Sequence, residues 1–600
     1  MSSTFKRDVT INLGAFSDSI SDVTRKRQSI LRSWRRLSSL QRLIIGIVLL
    51  STVVIALFVL PSLMSNENRP EFDKVQPKKE SESFEELHQI ADVQKLDKNL
   101  EDLKKKALQD QLIENERKFP FINNPDPVKQ HIISTYDFFG GQQQTPRQKQ
   151  VVEAFKHAWS AYKKYAWGKD ELHPLSKTSS EWFGTGLTLV DSLDTLIIMG
   201  LKEEYDEAKA WVEDQLTFNV DKYVNLFEIT IRNLGALLAA YHLTGHEVMK
   251  IKAIDLGERL LNAFNHNSKI PYSDVNLANG IARPPKWGPD SSTSEVTTIQ
   301  LEFRDLSLIT GNPRFADAVH EVSMHVHELP KTDGLVPIFI NANSGDFRPA
   351  GTITLGARGD SYYEYLLKQW LQSGKKLKVF KEDFDESYRG VKKSLMRRSE
   401  PSKLLFIGEL LSGRSFSPKM DHLVCFYPAT LALAYHHGMG NEYLEDAKDL
   451  LNTCYEMYNR MPTKLSPEIV YFNLAQGVEE DLIVKPLDAH NLLRPETVES
   501  MFYLYRLTRN ETYRDQAWQI FLAFEKHTKL PESGYSSINN VKDAGNPRFR
   551  DKMESFFLSE TLKYLYLIFS DDFNLISLDD FVFNSEGHPL PIYNDSVNEK

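Results

Sequence analysis

The 600-residue sequence contains only two cysteines, Cys425 and Cys454, and neither belongs to a Cys-x-x-Cys pair. This excludes the usual structural zinc motifs, which draw paired cysteines from short loops. The sequence also lacks a basic excess: its formal net charge is −10, and no basic patch with interleaved aromatic residues occurs in the bulk of the chain. Such a composition argues against nucleic acid as a partner. The remaining features, 41% hydrophobic and 11% aromatic residues, are those of a folded globular protein.

One long apolar run lies near the N-terminus, where residues 43–60 contain no charge. Extended to Met64, it is long enough to cross a bilayer, and no small-residue cleavage site follows it. Residues 1–42 carry nine lysines and arginines against three aspartates, which places them in the cytoplasm. We predict a cytoplasmic tail over 1–42, a signal-anchor over 43–64 and a luminal remainder, as in a single-pass type II membrane protein. An uncleaved, unusually long signal sequence is the alternative.

The luminal part divides by composition. Residues 65–118 are polar, with sparse apolar residues at three- and four-residue spacing, which predicts a single amphipathic stem helix. Prolines and the GGQQQTP segment at 140–146 end it. We therefore place a stem and linker at 65–146, a folded domain at 147–590 and a C-terminal tail at 591–600.

From residue 147 onward, apolar residues recur at the spacing of helices, and strand-like runs are few. The best such runs are residues 336–342 and 581–586. The fold class is therefore all-α with small β elements at loops.

Acidic or histidine residues within these helices recur at intervals of 74, 58, 62, 74 and 64 residues. An αα-hairpin with its loops has about this length, so each hairpin contributes one polar group to the same end of the assembly. A closed ring of about seven hairpins has this property, and an open solenoid would line a groove instead. The residues are Glu228, Glu302, Asp360, His422, Glu496 and Glu560.

The stretch around Asp360 is the most informative. Gly356 and Gly359 precede Asp360 in the position of a helix N-cap, and Glu364 follows one turn later. Aromatic and apolar residues surround the helix, which predicts that it packs on all sides. Two carboxylates at the loop end of a buried helix are costly unless they have a function. A simple helix cap with a surface acid is the alternative.

Several motifs in order carry a resemblance to a known family. The sequence closely resembles the class I α-1,2-mannosidases of glycoside hydrolase family 47 over residues 147 to 590. The resemblance implies an (α/α)7 barrel and an inverting glycosidase. The motifs are DSLDTLIIMG at 191–200, FEITIR at 227–232, LEF at 301–303, RGDSYYEYLLK at 358–368, HLVCF at 422–426, LRPETVES at 493–500, ESFFLSETLKYLYL at 554–567 and FNSEGHP at 583–589.

Glycoside hydrolysis uses one carboxylic acid and one carboxylate on opposite faces of the sugar. The resemblance implies that Glu496 is the base that activates water. It places the acid at Glu228, acting through water, or at Asp360, and the sequence leaves both open. Arg232 and Arg494 supply counter-charges that keep neighbouring carboxylates ionised.

The FNSEGHP segment is similar to the family's calcium loop, in which a threonine hydroxyl and its carbonyl bind Ca²⁺. This chain has Ser585 there, which keeps both oxygens, followed by Glu586 and Gly587. The lost methyl and the added glycine predict a looser loop.

Further roles are implied by the same resemblance. Acids that bind sugar or calcium-bound water are Glu499, Glu554, Glu560 and Glu586, and Phe556 is an aromatic platform under the mannose ring. Glu302, Glu364 and His422 hold the catalytic acids in position; His422 is alternatively a core histidine.

Cys425 and Cys454 match the pair that forms the family's disulfide, and a luminal location favours their oxidation. The alternative is two buried thiols. Asn-x-Ser/Thr sequons at Asn510 and Asn594 are compatible with a secretory-pathway glycoprotein.

Arg358 bears on specificity. Endoplasmic-reticulum members of the family are similar in having an arginine here, whereas Golgi members have a smaller residue. A guanidinium at the rim can bond several sugar hydroxyls and select one branch. This favours an enzyme of the endoplasmic reticulum that trims the nine-mannose N-glycan to the eight-mannose B isomer. The alternatives are a Golgi enzyme that removes several mannoses, a mannose-binding lectin of glycoprotein degradation, and an inert α-solenoid scaffold.

Overall fold

Most of the regular secondary structure in the described chain is helical, as the apolar spacing predicts. The structure is a computed structural model that describes residues 133–264, 267–286 and 288–593. All of these residues belong to one compact unit of the chain, Leu103–Lys600.

Several predicted segments lie outside the described residues. These are the cytoplasmic tail, the signal-anchor at 43–64, the stem up to residue 132, and the end of the C-terminal tail with Asn594. Among the residues that the structure does describe, no helix is long and apolar enough to cross a membrane.

The first described helix shows how local sequence sets an element. Thr145 caps Pro146–Ala166: its hydroxyl accepts a hydrogen bond from the Gln148 N–H (3.2 Å), and the Gln148 side chain accepts one from the Thr145 N–H (2.9 Å). A proline suits the first turn, because its missing N–H has no helical partner there. Reciprocal capping of this kind fixes the residue at which a helix begins.

The helices follow one another along the chain, joined by loops of varied length. In chain order they are α1 (Pro146–Ala166), α2 (Leu187–Asp191), α3 (Leu193–Ile198), α4 (Lys202–Asp214), α5 (Leu226–Ile229), α6 (Gly235–Thr244), α7 (Glu247–Leu260), α8 (Thr293–Thr297), α9 (Gln300–Thr310), α10 (Pro313–Glu328), α11 (Asp360–Gln372), α12 (Lys378–Ser394), α13 (Tyr427–His436), α14 (Asn441–Asn459), α15 (Glu496–Thr508), α16 (Thr512–His527) and α17 (Leu562–Ile568).

Irregular helical turns join some of these elements. Tight 3₁₀ turns occupy Leu261–Phe264 and His422–Phe426. Wider π-helical turns occupy Thr230–Leu234, between α5 and α6, and Phe557–Thr561, before α17. Turns of the π type occur mostly as single insertions in helices and frequently at functional sites.

Consecutive helices pack in pairs: α6 on α7, α9 on α10, α11 on α12, α13 on α14 and α15 on α16. The first members of these pairs also contact one another in succession, from α6 through α9, α11, α13 and α15 to α17. The π turn before α17 contacts α2 and α3. A helix in this succession is surrounded by protein, and all residues of α11 from Ser361 to Gln372 are buried. The prediction that this helix packs on all sides is confirmed.

Small antiparallel sheets lie in the loops between the helices, and each strand has two to four residues. The sheets are β1 (Glu171–His173) with β2 (Thr178–Ser180); β3 (Tyr223–Asn225) with β4 (Asp274–Asn276) and β5 (Ala282–Arg283); β6 (Asp290–Ser292) with β7 (Phe339–Asn341); β8 (Met396–Arg398) with β9 (Leu405–Ile407); β10 (Glu409–Leu411) with β11 (Ser415–Ser417); β12 (Lys419–Asp421) with β13 (Ile469–Phe472) and β14 (Leu482–Ile483); β15 (Lys529–Leu530) with β16 (Gly534–Tyr535); and β17 (Phe581–Phe583) with β18 (Pro589–Pro591).

The last hairpin positions the FNSEGHP loop. Strand β17 packs on α11, and β18 packs on α6 and α9, so the hairpin lies among the helices that contact one another in succession. Phe583 pairs with Pro589, which leaves residues 584–588 as the loop at its tip. The predicted small β element at 581–586 is therefore present, and it carries Ser585 into the helical assembly.

Candidate functional site

A cavity of about 350 Å³ brings together most of the residues that the sequence singles out. Most of its lining residues belong to α5, α11 and α15, to the two π turns and to the β17–β18 loop, and Phe556 lies directly before the second π turn. The predicted residues in its lining are Glu228, Arg232, Arg358, Asp360, Glu364, Arg494, Glu496, Glu499, Phe556, Glu560, Ser585 and Glu586.

Asp360 is the first residue of α11 and lies in the lining of this cavity. Burial raises the pKa of its carboxyl to about 7, and the negative charges of Glu364 and Asp421 act in the same direction. The Ser361 N–H donates a hydrogen bond to its Oδ1 (2.9 Å), which only partly offsets the rise. Asp360 therefore holds a proton for much of the time at neutral pH.

Glu496 occupies the corresponding position of α15, as its first residue. Burial acts to raise the pKa of its carboxyl, but His422 and Arg494 outweigh burial, and the pKa is lowered. Nδ1 of His422 lies 2.9 Å from Oε2 of Glu496, and Nη1 of Arg494 lies 3.8 Å from Oε1. Glu496 is therefore an ionised carboxylate at neutral pH.

Glu228 lies opposite a permanent cation. Its backbone N–H donates to the Asn225 side chain (2.9 Å), which caps α5. The Arg232 Nε donates to its carboxylate at 2.9 Å, and Arg232 Nη1 donates to Glu586 at 2.6 Å. Arg232 is thus shared between two carboxylates of the cavity.

Phe556 lies between two guanidinium groups. The guanidinium carbons of Arg232 and Arg494 are each 5.6 Å from the centroid of its ring. Only 7% of Phe556 is exposed, and the ring lines the cavity. A cation near an aromatic face at this distance fixes the ring's position, which suits a flat apolar surface for a sugar.

Arg358 reaches the cavity from a constrained loop. Its backbone has a φ of 77°, which is uncommon for a residue with a side chain. Nη1 donates to the Ser292 hydroxyl (3.1 Å), and the guanidinium carbon lies 5.3 Å from the Phe339 ring centroid. The carbonyl of Arg358 accepts a hydrogen bond from the Ser294 N–H (3.1 Å).

Ser585 contacts one carboxyl group directly and shares the cavity with several others. Its hydroxyl donates to Glu364 (3.0 Å), and Glu364 also accepts from the buried Lys368. Burial, followed by the charge of Glu586, raises the pKa of Glu560 well above its usual range. Burial likewise raises the pKa of Glu499 to about 8.

Three predicted residues lie outside the lining of the cavity. Glu302 is fully buried and accepts hydrogen bonds from Tyr365 and from Asn584, both at 2.7 Å. His422 lies behind Glu496, where its Nε2 is 2.9 Å from the Tyr458 hydroxyl. Glu554 forms an ion pair with Lys552 at 3.1 Å.

A family model described as glycosyl hydrolase family 47 matches residues 154–592. The chain belongs to glycosyl hydrolase family 47. Its family 47 region is 59% identical over 449 residues to the endoplasmic reticulum mannosyl-oligosaccharide 1,2-alpha-mannosidase of Homo sapiens, covering 74% of this chain and 64% of that protein. The corresponding protein of Mus musculus is 58% identical over 449 residues, with 74% and 68% covered.

A solved alpha-1,2-mannosidase structure has the same fold. The alpha-1,2-mannosidase from Trichoderma reesei superposes with a TM-score of 0.70 at 27% identity, and the match covers 76% of this chain and all of that one. The chain spans about two thirds of the length of the human relative.

The predicted disulfide of this family 47 chain is confirmed. Cys425 and Cys454 are bonded and link the 3₁₀ turn that contains His422 to α14. Asn510 is exposed, and its side chain accepts a hydrogen bond from the N–H of Thr512, the third residue of its sequon (3.1 Å).

Sequence reasoning missed Glu295, which is in the lining of the cavity. Burial raises the pKa of its carboxyl. The Ser292 hydroxyl donates to it (2.9 Å), as does the Asn225 amide (3.3 Å). A signal was present, because Ser-x-x-Glu at 292–295 is the pattern of a helix capping box.

Family 47 implies a calcium ion, and the residues around the FNSEGHP loop determine whether one can be held there. Among the described residues, no group of three or more His, Cys, Asp or Glu side chains is placed to hold a metal ion directly. Ser585 offers a hydroxyl and a carbonyl, both hard oxygen donors, and the surrounding carboxylates can accept hydrogen bonds from metal-bound water. These residues fit a calcium ion that keeps most of its water.

The FNSEGHP loop is fastened despite its glycine. Gly587 has a φ of 72°, which a glycine adopts without strain. The buried Lys563 donates to its carbonyl at 2.6 Å, and its N–H donates to Asn584 at 3.2 Å. These hydrogen bonds hold Gly587 in place, and the looser loop expected from the sequence stays a prediction.

Proposed function

We propose that this chain is an inverting exo-α-1,2-mannosidase that trims high-mannose N-glycans of glycoproteins. The observation that carries the proposal is the pairing of a protonated Asp360 with an ionised Glu496 in one cavity. An inverting glycosidase needs one carboxyl in each of these states. The names of the relatives, which are mannosyl-oligosaccharide 1,2-alpha-mannosidases, support the substrate class.

The two carboxyls have separate tasks in this mechanism. Asp360 gives its proton to the glycosidic oxygen as the bond to the terminal mannose breaks. Glu496 takes a proton from a water molecule, whose oxygen forms the new bond on the opposite face of the sugar. The products are free mannose with inverted configuration and a glycan shorter by one residue.

The electrostatics favour Asp360 over Glu228 as the acid. Asp360 is buried and faces the negatively charged Glu364 and Asp421, which raise its pKa, whereas Glu228 is held in an ion pair with Arg232. Glu228 then binds sugar hydroxyls or water, and Arg232 holds it in place. Phe556 supplies the apolar surface under the mannose ring.

Calcium is the proposed cofactor, held by the hydroxyl and carbonyl oxygens of Ser585. A bound calcium ion supplies a hard cation that holds sugar hydroxyls in a fixed arrangement. Glu499, Glu560 and Glu586 line the same cavity and orient water there, while Glu364 accepts a hydrogen bond from the Ser585 hydroxyl.

Arg358 is the proposed selector of the glycan branch. Its anchored guanidinium can bond several sugar hydroxyls at the rim, so that one branch fits best. The proposed product is therefore the eight-mannose B isomer from the nine-mannose glycan. Removal of several mannoses, as in a Golgi enzyme, is the competing outcome, and glycan binding without cleavage, as in a lectin, is the other.

The proposed architecture is an (α/α)7 barrel at 147–590. The succession of contacts from α6 to α17, together with the contacts of the last π turn with α2 and α3, supports a closed ring. We place a signal-anchor at 43–64, a stem and linker at 65–146 and the barrel in the lumen of the endoplasmic reticulum. The apolar run and the basic tail support the membrane anchor.

The test is a digest of the nine-mannose glycan by the detergent-solubilised full chain, with products resolved by isomer. We expect a single eight-mannose B isomer, released with inverted mannose, lost on EDTA treatment and restored by calcium. Trimming to five mannoses would show the specificity of a Golgi enzyme and overturn the proposed single product. Retained glycan binding without any released mannose would overturn the hydrolase.

A further inference from the structure

The loop that carries Arg358 and Asp360 is unusually close to its surroundings. Gly359 has no room for a side chain, because a Cβ would lie 2.3 Å from the carbonyl oxygen of Thr354. At Gly356 a Cβ would lie 2.2 Å from Oδ2 of Asp421. Gly359 therefore allows close packing within the loop, and Gly356 allows close packing of the loop against the Asp421 carboxylate, which comes from a distant part of the chain.

Asp421 is itself held rigidly. It is the last residue of β12 and pairs with Ile469 of β13. Only 8% of it is exposed, and its Oδ1 lies 2.7 Å from Nζ of Lys419, which also donates to Glu409 at 2.8 Å. Its Oδ2 accepts a hydrogen bond from the Ala357 N–H at 3.3 Å.

The next residue contacts the other carboxyl of the proposed mechanism. His422 lies against Glu496, with Nδ1 2.9 Å from Oε2. The neighbouring residues Asp421 and His422 thus contact the loop before α11 and the first residue of α15. The end of β12 is therefore connected to Glu496 directly and to Asp360 through the loop before α11.

We propose that Asp421 is a positioning residue of the site: its carboxylate holds the backbone at Gly356 and Ala357, and thereby sets where Arg358 and Asp360 project into the cavity. The inference rests on the proposed function, because its readout is the trimming of a branched glycan. Asp421 has no place in the lining of the cavity; besides the charge that it adds near Asp360, its contact with the site runs through the loop.

The contact with Gly356 allows a decisive double substitution. Gly356 does not have a positive φ, so alanine is compatible with its backbone, and the three atoms nearest to the new methyl group all belong to the side chain of Asp421. We expect Gly356→Ala and Asp421→Ala each to lower kcat/KM by about 10- to 100-fold and to release additional eight-mannose isomers. Because Asp421→Ala removes the two nearest atoms, Oδ2 at 2.2 Å and Cγ at 2.8 Å, and leaves its Cβ at 3.1 Å, we expect the double variant to match Asp421→Ala alone within about threefold.

Gly359 provides the matched control. A Cβ added at Gly359 would clash with a backbone carbonyl, and no side-chain substitution removes that carbonyl. We therefore expect Gly359→Ala and Asp421→Ala to combine multiplicatively, with no rescue. Thermal unfolding of every variant separates loss of folding from loss of positioning, since the isomer pattern is measured only on folded protein.

The outcomes separate the inference from the proposed function. If the unmodified chain releases no mannose, the proposed function fails and the inference fails with it. If the unmodified chain gives one isomer but the effects of Gly356→Ala and Asp421→Ala multiply, or the isomer pattern of both single variants is unchanged, the positioning role is wrong while the hydrolase stands.

Discussion

The first residues of α11 and α15 make an instructive comparison. Asp360 and Glu496 both begin a helix, both are in the lining of one cavity, and both are affected by burial. A helix N-terminus favours the ionised form of each by a similar amount. Their pKa values nevertheless move in opposite directions, because Asp360 faces Glu364 and Asp421 whereas Glu496 faces His422 and Arg494. The identity of the neighbouring side chains therefore sets the protonation state, and the helix position does not.

Removing the ionised member should have the largest effect. Glu496→Gln keeps the size of the side chain but cannot accept a proton from water. We expect kcat on the nine-mannose glycan to fall about 10³-fold, with a much smaller change in KM. Glu247→Gln, at a side chain that is 63% exposed, is the matched control and should keep full activity. A Glu496→Gln enzyme within tenfold of the unmodified rate would remove Glu496 from the role of base.

The protonated member is tested by the pH dependence. The acid must carry a proton, so activity should be present below the pKa of Asp360 and fall as the pH rises through about 7. Asp360→Asn should lower kcat about 10²-fold and abolish this basic limb in the residual activity. If Glu228→Gln removes the limb and Asp360→Asn leaves it in place, the acid is Glu228, acting through water.

The smallest effect is expected when the neighbour His422 is removed from Glu496, which makes the surroundings of Glu496 more like those of Asp360. His422 helps to lower the pKa of Glu496, so His422→Ala should raise that pKa. The base must be ionised, and the acidic limb of the pH profile should therefore move to higher pH. His436→Ala, at a partly exposed histidine paired with Asp579, should leave the limb in place. An unmoved acidic limb in His422→Ala would mean that Arg494 alone sets the protonation state of Glu496.

The sequence predicted which helical residues meet, because one polar group recurs in each long apolar segment. Most of those residues are in the lining of one cavity, and the disulfide between Cys425 and Cys454 is present. Buried acids in an apolar helix are a strong local signal, since their cost must be offset by an interaction or a function.

The missed features depend on long-range contacts. Strands of two to four residues are too short to show an alternating pattern, so most of the small sheets had no signal in the sequence. The role of Asp421 depends on Gly356, 65 residues earlier, and a single aspartate before a histidine does not predict that contact. Glu554 lies beside Lys552 outside the lining, and the role in binding sugar or metal-bound water that the resemblance implies for it stays a prediction.

The π turn at Thr230–Leu234 has a consequence for the geometry of the whole segment from Leu226 to Thr244. One inserted residue advances the angular phase of everything that follows by about 100°. Glu228 and Arg232 therefore line the cavity. Helix α6, which follows the insertion, has a different orientation and buries nearly all of its residues. Deleting a single residue here would cancel the phase change. The polar residues before the turn and the apolar residues after it could then not both keep their present orientations. Chain length at this point is thus as strictly constrained as the identity of the acid itself.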